Sequence, residues 1–210
     1  MVTTRSASKA ASSAPTLWAH APSKLALLWY AVSLPVVIWD CGYVLLRPLT
    51  MEGGSLHWPL YVPYKLYGEV DHIYGWKAFH ANNGFTAAQG TLNVVETAMY
   101  LVYLWVYFRS GVNVKGRATK VVSGRPAAVG VLIAFSAAVM TLSKTVLYWL
   151  NEYFSGFDNI GHNSLPDLII LWIIPNGLWL IFPSYIIYVL GSEIVEGLTA
   201  ASTGVAIKSE

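Results

Sequence analysis

The sequence predicts an all-α integral membrane protein: a bundle of four transmembrane helices, with five as the alternative, enclosing a polar intramembrane cavity. Three observations predict it. Apolar residues make up 55% of the 210-residue chain and charged residues only 11%, far below the roughly 25% of soluble domains, and mean hydropathy is +0.50. Apolar runs long enough to cross a bilayer recur four times. Ionisable and amide side chains fall inside those runs at helical spacing rather than at random.

The spans are expected at about residues 25–46, 87–108, 127–150 and 168–190. Arg47 and Pro48 close the first, Arg109 closes the second, and Arg125 with Pro126 precedes the third. Residues 1–22, rich in Ser, Ala and Thr with basic residues and no acid, read as a disordered cytosolic tail rather than a transit or signal peptide. Residues 23–192 form the transmembrane domain, and 193–210 read as a second cytosolic tail.

Charge sets the expected orientation. The loop between spans two and three carries Arg109, Lys115, Arg117, Lys120 and Arg125 and no acid, whereas the next loop has Glu152, Asp158 and Asp167 and no Lys or Arg. The positive-inside rule puts the basic loop, and with it both termini, in the cytosol. The first loop, residues 48–86, is long and aromatic and contains GEVDHIYGWKAFHANNGF. A loop of that length and composition is expected to be an ordered lid, and its Asp71 and Tyr74 are candidate substrate contacts.

Within the spans, Asp40, Glu96, Lys144 and Asn176 fall at depths that agree within about 5 Å at ~1.5 Å per residue. Each of the four helices thus offers one polar group to a shared layer. On span two, Gln89, Asn93, Glu96, Tyr100, Tyr103 and Tyr107 share a stripe; Thr141, Lys144, Tyr148 and Glu152 do so on span three, and Trp172, Asn176, Trp179 and Pro183 on span four. Turned inward, these stripes enclose an acid-bearing pocket walled by rings. Simpler readings stay open: Asp40 and Lys144 as a structural ion pair, and Asn176 as interhelical glue.

Such a pocket can move a double bond. A carboxyl group held neutral in an apolar site protonates an alkene, and a second carboxylate removes a proton elsewhere. The intermediate carbocation needs a dry site, and a ring such as Trp179 attracts its charge. No phosphate loop, nucleophile elbow or dinucleotide fingerprint is present. The single cysteine, Cys41, rules out multi-cysteine metal patterns, and the histidines of the first loop have no ligand partner at helical spacing, so no metal and no cofactor are expected. A net charge of +2 gives no reason to expect nucleic acid.

Four segments, in order, resemble the emopamil-binding (sterol isomerase) family and its wider EXPERA domain superfamily. VIWDCGYVL resembles the acid-bearing first helix, with Asp40 where the isomerase has glutamate. GFTAAQGTLNVVETAMYLVYLW resembles the second-helix core that carries Glu96 and Thr97. VLYWLNEYFSGFDNIGH and IIPNGLWLIFP resemble the third-helix end with its glycine–histidine loop and the motif occupied here by Asn176 and Trp179. The resemblance implies a membrane-embedded Δ8-to-Δ7 type isomerase acting on a sterol-like or isoprenoid small molecule in the endoplasmic reticulum membrane, in contact with membrane lipid and with a tendency to homodimerise. It implies catalytic roles for Asp40, Glu96, Asn176 and Trp179, and Asn93, Tyr100, Lys144, Tyr148, Trp172, Asp71 and Tyr74 are the expected substrate contacts. Val36, Met99 and Thr145 depart from the family pattern. Those departures leave two alternatives: a sterol or amphiphilic-amine binding and trafficking protein of the sigma-2 receptor type, without turnover, or a divergent isomerase or cyclase of specialised metabolism.

Overall fold

The computed structural model describes residues 18–203, and within them nearly all regular structure is helical. Helix α1 (Lys24–Leu45) starts where Ser23 caps it, its hydroxyl accepting from Ala26 N–H at 3.0 Å. Two short helices, α2 (Pro63–Val70) and α3 (Trp76–His80), follow in the first loop. Helix α4 (Phe85–Ser110) and helix α5 (Gly124–Phe154) come next. A short α6 (Leu165–Asp167) then runs through a π-helical stretch (Leu168–Ile173) into α7 (Ile174–Thr203).

Three of these helices are long and apolar enough to cross a membrane: α1, α5 and the continuous run Leu165–Thr203. Their outer faces carry exposed Leu28, Val32, Ile38, Leu132, Leu147 and Ile181. That arrangement is costly against water and natural against lipid tails. Helix α4 has the length, at 26 residues, but its buried face is Thr86, Gly90, Glu96, Thr97, Tyr100, Tyr103, Val106 and Tyr107. Polar groups turned inward lower its apolarity while Leu92, Val95, Leu101 and Trp105 stay exposed on its outer face.

Helix α5 packs against both α4 and α7, and α1 lies against α4. Small residues let this happen. Ala134, Ala137 and Ala138 of α5 are fully buried against Tyr30, Tyr100, Tyr103, Ile186 and Leu190, and close backbone approach maximises dispersion between helices that gain nothing from leaving water.

Two boundaries differ from the sequence expectation. Residues Ala19–His20, placed in the N-terminal tail by composition, form strand β1 and pair antiparallel with β2 (Val122–Ser123) just before α5. Helix α7 does not stop near residue 190 but continues to Thr203. The cause is the same in both cases. His20 is buried between Glu193, whose Oε2 is 2.6 Å from Nδ1, and Tyr103, whose hydroxyl is 2.8 Å from Nε2. Trp18 donates its indole N–H to the Glu193 carbonyl at 3.1 Å. These bonds tie the incoming chain to α7 at Glu193, in the part of the helix beyond residue 190, and neither side reveals the other by local pattern. The remaining residues of both expected tails, 1–17 and 204–210, lie outside the described residues.

The first loop is ordered, as its aromatic content suggests. Tyr43, Met51, Tyr61 and Tyr64 form a buried cluster joined by Trp39, Tyr67, Tyr74 and Phe79. Gly68 and Gly75 let α2 and the start of α3 touch backbone to backbone, since a Cβ on Gly75 would sit 2.5 Å from the Gly68 carbonyl oxygen. Arg47 fastens the loop from below, donating to Thr86 Oγ1 at 2.6 Å.

Candidate functional site

A cavity of about 440 Å³ lies beneath the folded first loop, within the roughly 300–1,000 Å³ range of small-molecule sites. Helix α1 contributes Val36, Trp39 and Asp40, and the loop contributes Tyr64, Tyr67 and Tyr74. Helix α4 supplies Gln89 and Asn93, α5 supplies Lys144, Thr145 and Tyr148, and the last helix supplies Leu171, Asn176 and Trp179. The wall is therefore mostly ring and hydrocarbon with a few polar groups.

Asp40 is the one acid among the lining residues, and Lys144 the one cation. Asp40 is half-buried one turn from the end of α1. Its Oδ1 accepts from the Tyr64 hydroxyl at 2.8 Å, so the loop helix α2 holds the carboxyl in place.

Glu96 is buried on α4 behind the cavity wall and is not among the lining residues. Its Oε2 accepts from Lys144 Nζ at 2.9 Å and from Thr141 Oγ1 at 2.8 Å. Lys144 also donates to Asn93 Oδ1. Lys144 thus takes Glu96 rather than Asp40 as its partner, and Glu96 meets the cavity only through it. The other Glu96 oxygen, Oε1, is buried without a partner.

Tyr100 is likewise not a wall residue. It sits deeper in the helix core, packed on Tyr30 with ring centroids 4.9 Å apart, its hydroxyl 3.4 Å from Thr141 Oγ1. Asp71 and Trp172 lie outside the lining as well, joined to one another one layer out. Asp71 is fully buried, and its Oδ2 accepts from Trp172 Nε1 at 2.8 Å and from the Tyr148 hydroxyl, while Oδ1 accepts from Ile73 N–H at 3.1 Å. The π-helical stretch places Trp172 here, a local widening often found at functional sites. Burial pushes the Asp71 carboxyl up to about 6, against the pull of its Tyr148, Trp172 and Ile73 donors and with the Glu152 charge adding to the rise. Asp71 is therefore a latch between the loop, α5 and the last helix, and it shapes the cavity through Tyr148.

Of the expected contacts, Asp40, Asn93, Lys144, Tyr148, Tyr74, Asn176 and Trp179 converge on one cavity, while Glu96, Tyr100, Asp71 and Trp172 stand behind it. Asn176 donates to the Trp172 carbonyl at 2.9 Å, across the junction with the π-helical stretch. Trp179 packs edge-on against Trp29, centroids 5.1 Å apart. Trp39, Tyr64 and Tyr67 were not among the expected site residues. Trp39 adjoins Asp40 in sequence, and tyrosines recur every three residues at 61, 64 and 67, a helical signal inside what reads as a loop.

No cluster of three or more His, Cys, Asp or Glu suited to a metal occurs among the described residues. No family model, no curated protein and no solved structure matches the chain.

Proposed function

We propose that this chain is a multi-pass membrane protein in which α4 is the fourth span, and that it binds a sterol-like or polycyclic isoprenoid molecule in the cavity and shifts a double bond in it. The observation that carries the reading is a single carboxyl, Asp40, set in a wall of aromatic rings with a volume suited to a small ligand. A protonated Asp40 gives its proton to one alkene carbon, forming a C–H bond and leaving a carbocation. The carboxylate left behind is the counter-charge, and the faces of Trp179 and Trp39 add to it. An adjacent carbon then loses a proton to the carboxylate, and the C–H electron pair becomes the new π bond. Protons and electrons balance within the substrate and Asp40, with no redox partner.

Glu96 acts in this scheme by holding Lys144 rather than by touching substrate. Asn176 braces the wall beside Trp179. Residence in the endoplasmic reticulum membrane with both termini cytosolic, and a homodimeric assembly, belong to the same proposal and rest on the loop charges and the family resemblance.

The test is expression of the chain in cells lacking sterol Δ8–Δ7 isomerase, with the sterol profile read by mass spectrometry. The expected result is a shifted double bond. Membranes from those cells given unlabelled substrate in heavy water are expected to return product with one solvent deuterium, taken up through Asp40 after it exchanges its proton with solvent between turnovers. An unchanged profile removes the standard sterol as substrate.

A second reading is favoured by the same lone acid. A carboxylate among Trp39, Tyr64 and Tyr74 also suits the ammonium of an amphiphilic amine, which would be bound without turnover. Deuterium incorporation into any bound polycyclic alkene separates the two.

A further inference from the structure

The connection between α4 and α5 has no part in the cavity, yet it is built. Residues 111–123 fold back on themselves: Val112 and Val121 exchange both backbone hydrogen bonds at 2.9 Å. Gly116 turns the tip at a φ of +86°, in the left-handed region. The Tyr107 hydroxyl accepts from Lys120 N–H at 3.1 Å, and the end of the hairpin is β2, paired with β1. The connection is therefore closed on itself and tied to the end of α4 through Tyr107 and to strand β1 through β2.

This hairpin and its two flanks carry Arg109, Lys115, Arg117, Lys120 and Arg125 without an acid between them. Four are exposed and Lys120 is half-buried beside the Phe108 ring. None forms a salt bridge with any acid among the described residues. Beside these charges stand large apolar groups facing outward: Trp105 and Phe108 on the last turns of α4, and Val112 and Val114 on the hairpin. Aromatic side chains at a helix end next to basic residues mark the headgroup level of a bilayer. At the opposite end of α5, Tyr153 and Phe154 are exposed in the same way, about 42 Å away at ~1.5 Å per residue, which matches a bilayer with its headgroups.

We propose that the hairpin 111–123, with Arg109 and Arg125, is a docking surface for the headgroups of anionic phospholipids in the leaflet it faces. The inference rests on the membrane placement in the proposed function but not on the cavity or its chemistry. Five cations at headgroup depth attract anionic lipid, and the attraction adds up over each Lys or Arg held near such a surface. The ordered hairpin presents them without a further ordering cost. The exposed valines and rings favour a bilayer over a nucleic acid or an acidic protein, which would leave them in water.

The experiment uses the full chain in phosphatidylcholine nanodiscs containing an equal small fraction of spin-labelled phosphatidylserine or spin-labelled phosphatidylcholine, counting motionally restricted label. The native chain is expected to favour phosphatidylserine by about fivefold or more at low salt, with the preference shrinking as salt rises. The neutralised variant Lys115→Gln/Arg117→Gln/Lys120→Gln/Arg125→Gln is expected to lose it, while Lys115→Arg/Arg117→Lys/Lys120→Arg/Arg125→Lys keeps it. Circular dichroism checks that both variants stay helical. Equal retention of the two lipids by the native chain overturns the proposal, as does an unaltered preference in the neutralised variant. Absence of lipid preference together with tight retention of polyglutamate overturns it in favour of a protein partner. Asp40→Asn is expected to keep the lipid preference, so a failed cavity and a failed hairpin read out separately.

Discussion

Two acids, Asp40 and Glu96, enter the same bundle from neighbouring helices and meet different fates. Glu96 is 4% exposed and shares one oxygen between a lysine and a threonine. Asp40 lines the cavity and has one hydrogen-bond partner, a tyrosine from the overlying loop. The lysine makes the difference. A charge buried in hydrocarbon is tolerable when a counter-charge and hydrogen bonds meet it, and Glu96 has both. Asp40 instead faces the cavity, with Tyr64 and Tyr74 beside it. The comparison teaches that a carboxyl deeper in the bundle is not thereby the more reactive one, since depth here goes with neutralisation.

The comparison breaks most sharply at Asp40. In the proposed reaction Asp40 carries the proton, and Asp40→Asn keeps shape and the Tyr64 hydrogen bond, so on that proposal turnover is expected to fall by about 10²- to 10⁴-fold, the range attributed to a general acid or base. Thermal stability should change little. Product formation by mass spectrometry alongside a melting curve checks both. Turnover that survives in Asp40→Asn and vanishes in Glu96→Gln would reverse the roles assigned to the two acids.

How far this was visible beforehand differs between helix and loop. The apolar runs of α1, α5 and α7 set the fold class directly, because a helix in lipid must satisfy its backbone alone and show hydrocarbon outside. Helical spacing likewise put Asn93, Glu96 and Lys144 near one another. Spacing does not fix which pairs form, and the three-residue step that leaves Asn93 and Glu96 about 60° apart around α4 is enough to put Asn93 on the wall and Glu96 behind it. The loop residues Tyr64 and Tyr67 reach the cavity through a fold with no long period to announce it. The clamp of His20 between Glu193 and Tyr103 spans nearly the whole chain, and no local pattern encodes it.

Next in size is the pair behind the wall. Lys144→Met leaves Glu96 buried without its counter-charge, which is expected to destabilise the bundle by about 3–5 kcal/mol. Adding Glu96→Gln should recover much of that loss, because the remaining amide still bonds to Thr141. Denaturation of the single and double variants in mixed micelles measures the coupling. Independent, additive losses would mean that the two side chains do not depend on one another, and that Glu96 is free to act elsewhere.

The smallest effect concerns Asp71, the latch that joins the loop to α5 and the last helix. Its carboxyl is pushed up to about 6 by burial, from an ordinary value of 3.8. A folded-state value above the unfolded one means that the folded chain binds the proton more tightly. This contribution to stability is full below about 4 and is lost as pH rises through 6. From pH 7 to pH 5, Asp71 alone is then expected to add about 1 kcal/mol. His72 opposes it, because burial, His162 and Lys77 hold its imidazole below the usual range. Its share of stability is therefore lost on acidification. The difference in melting temperature between the native chain and Asp71→Asn isolates the carboxyl, since His72 is common to both. That difference should widen in favour of the native chain as pH falls from 7 to 5, and a constant gap would mean that the three donors around Asp71 keep it ionised throughout.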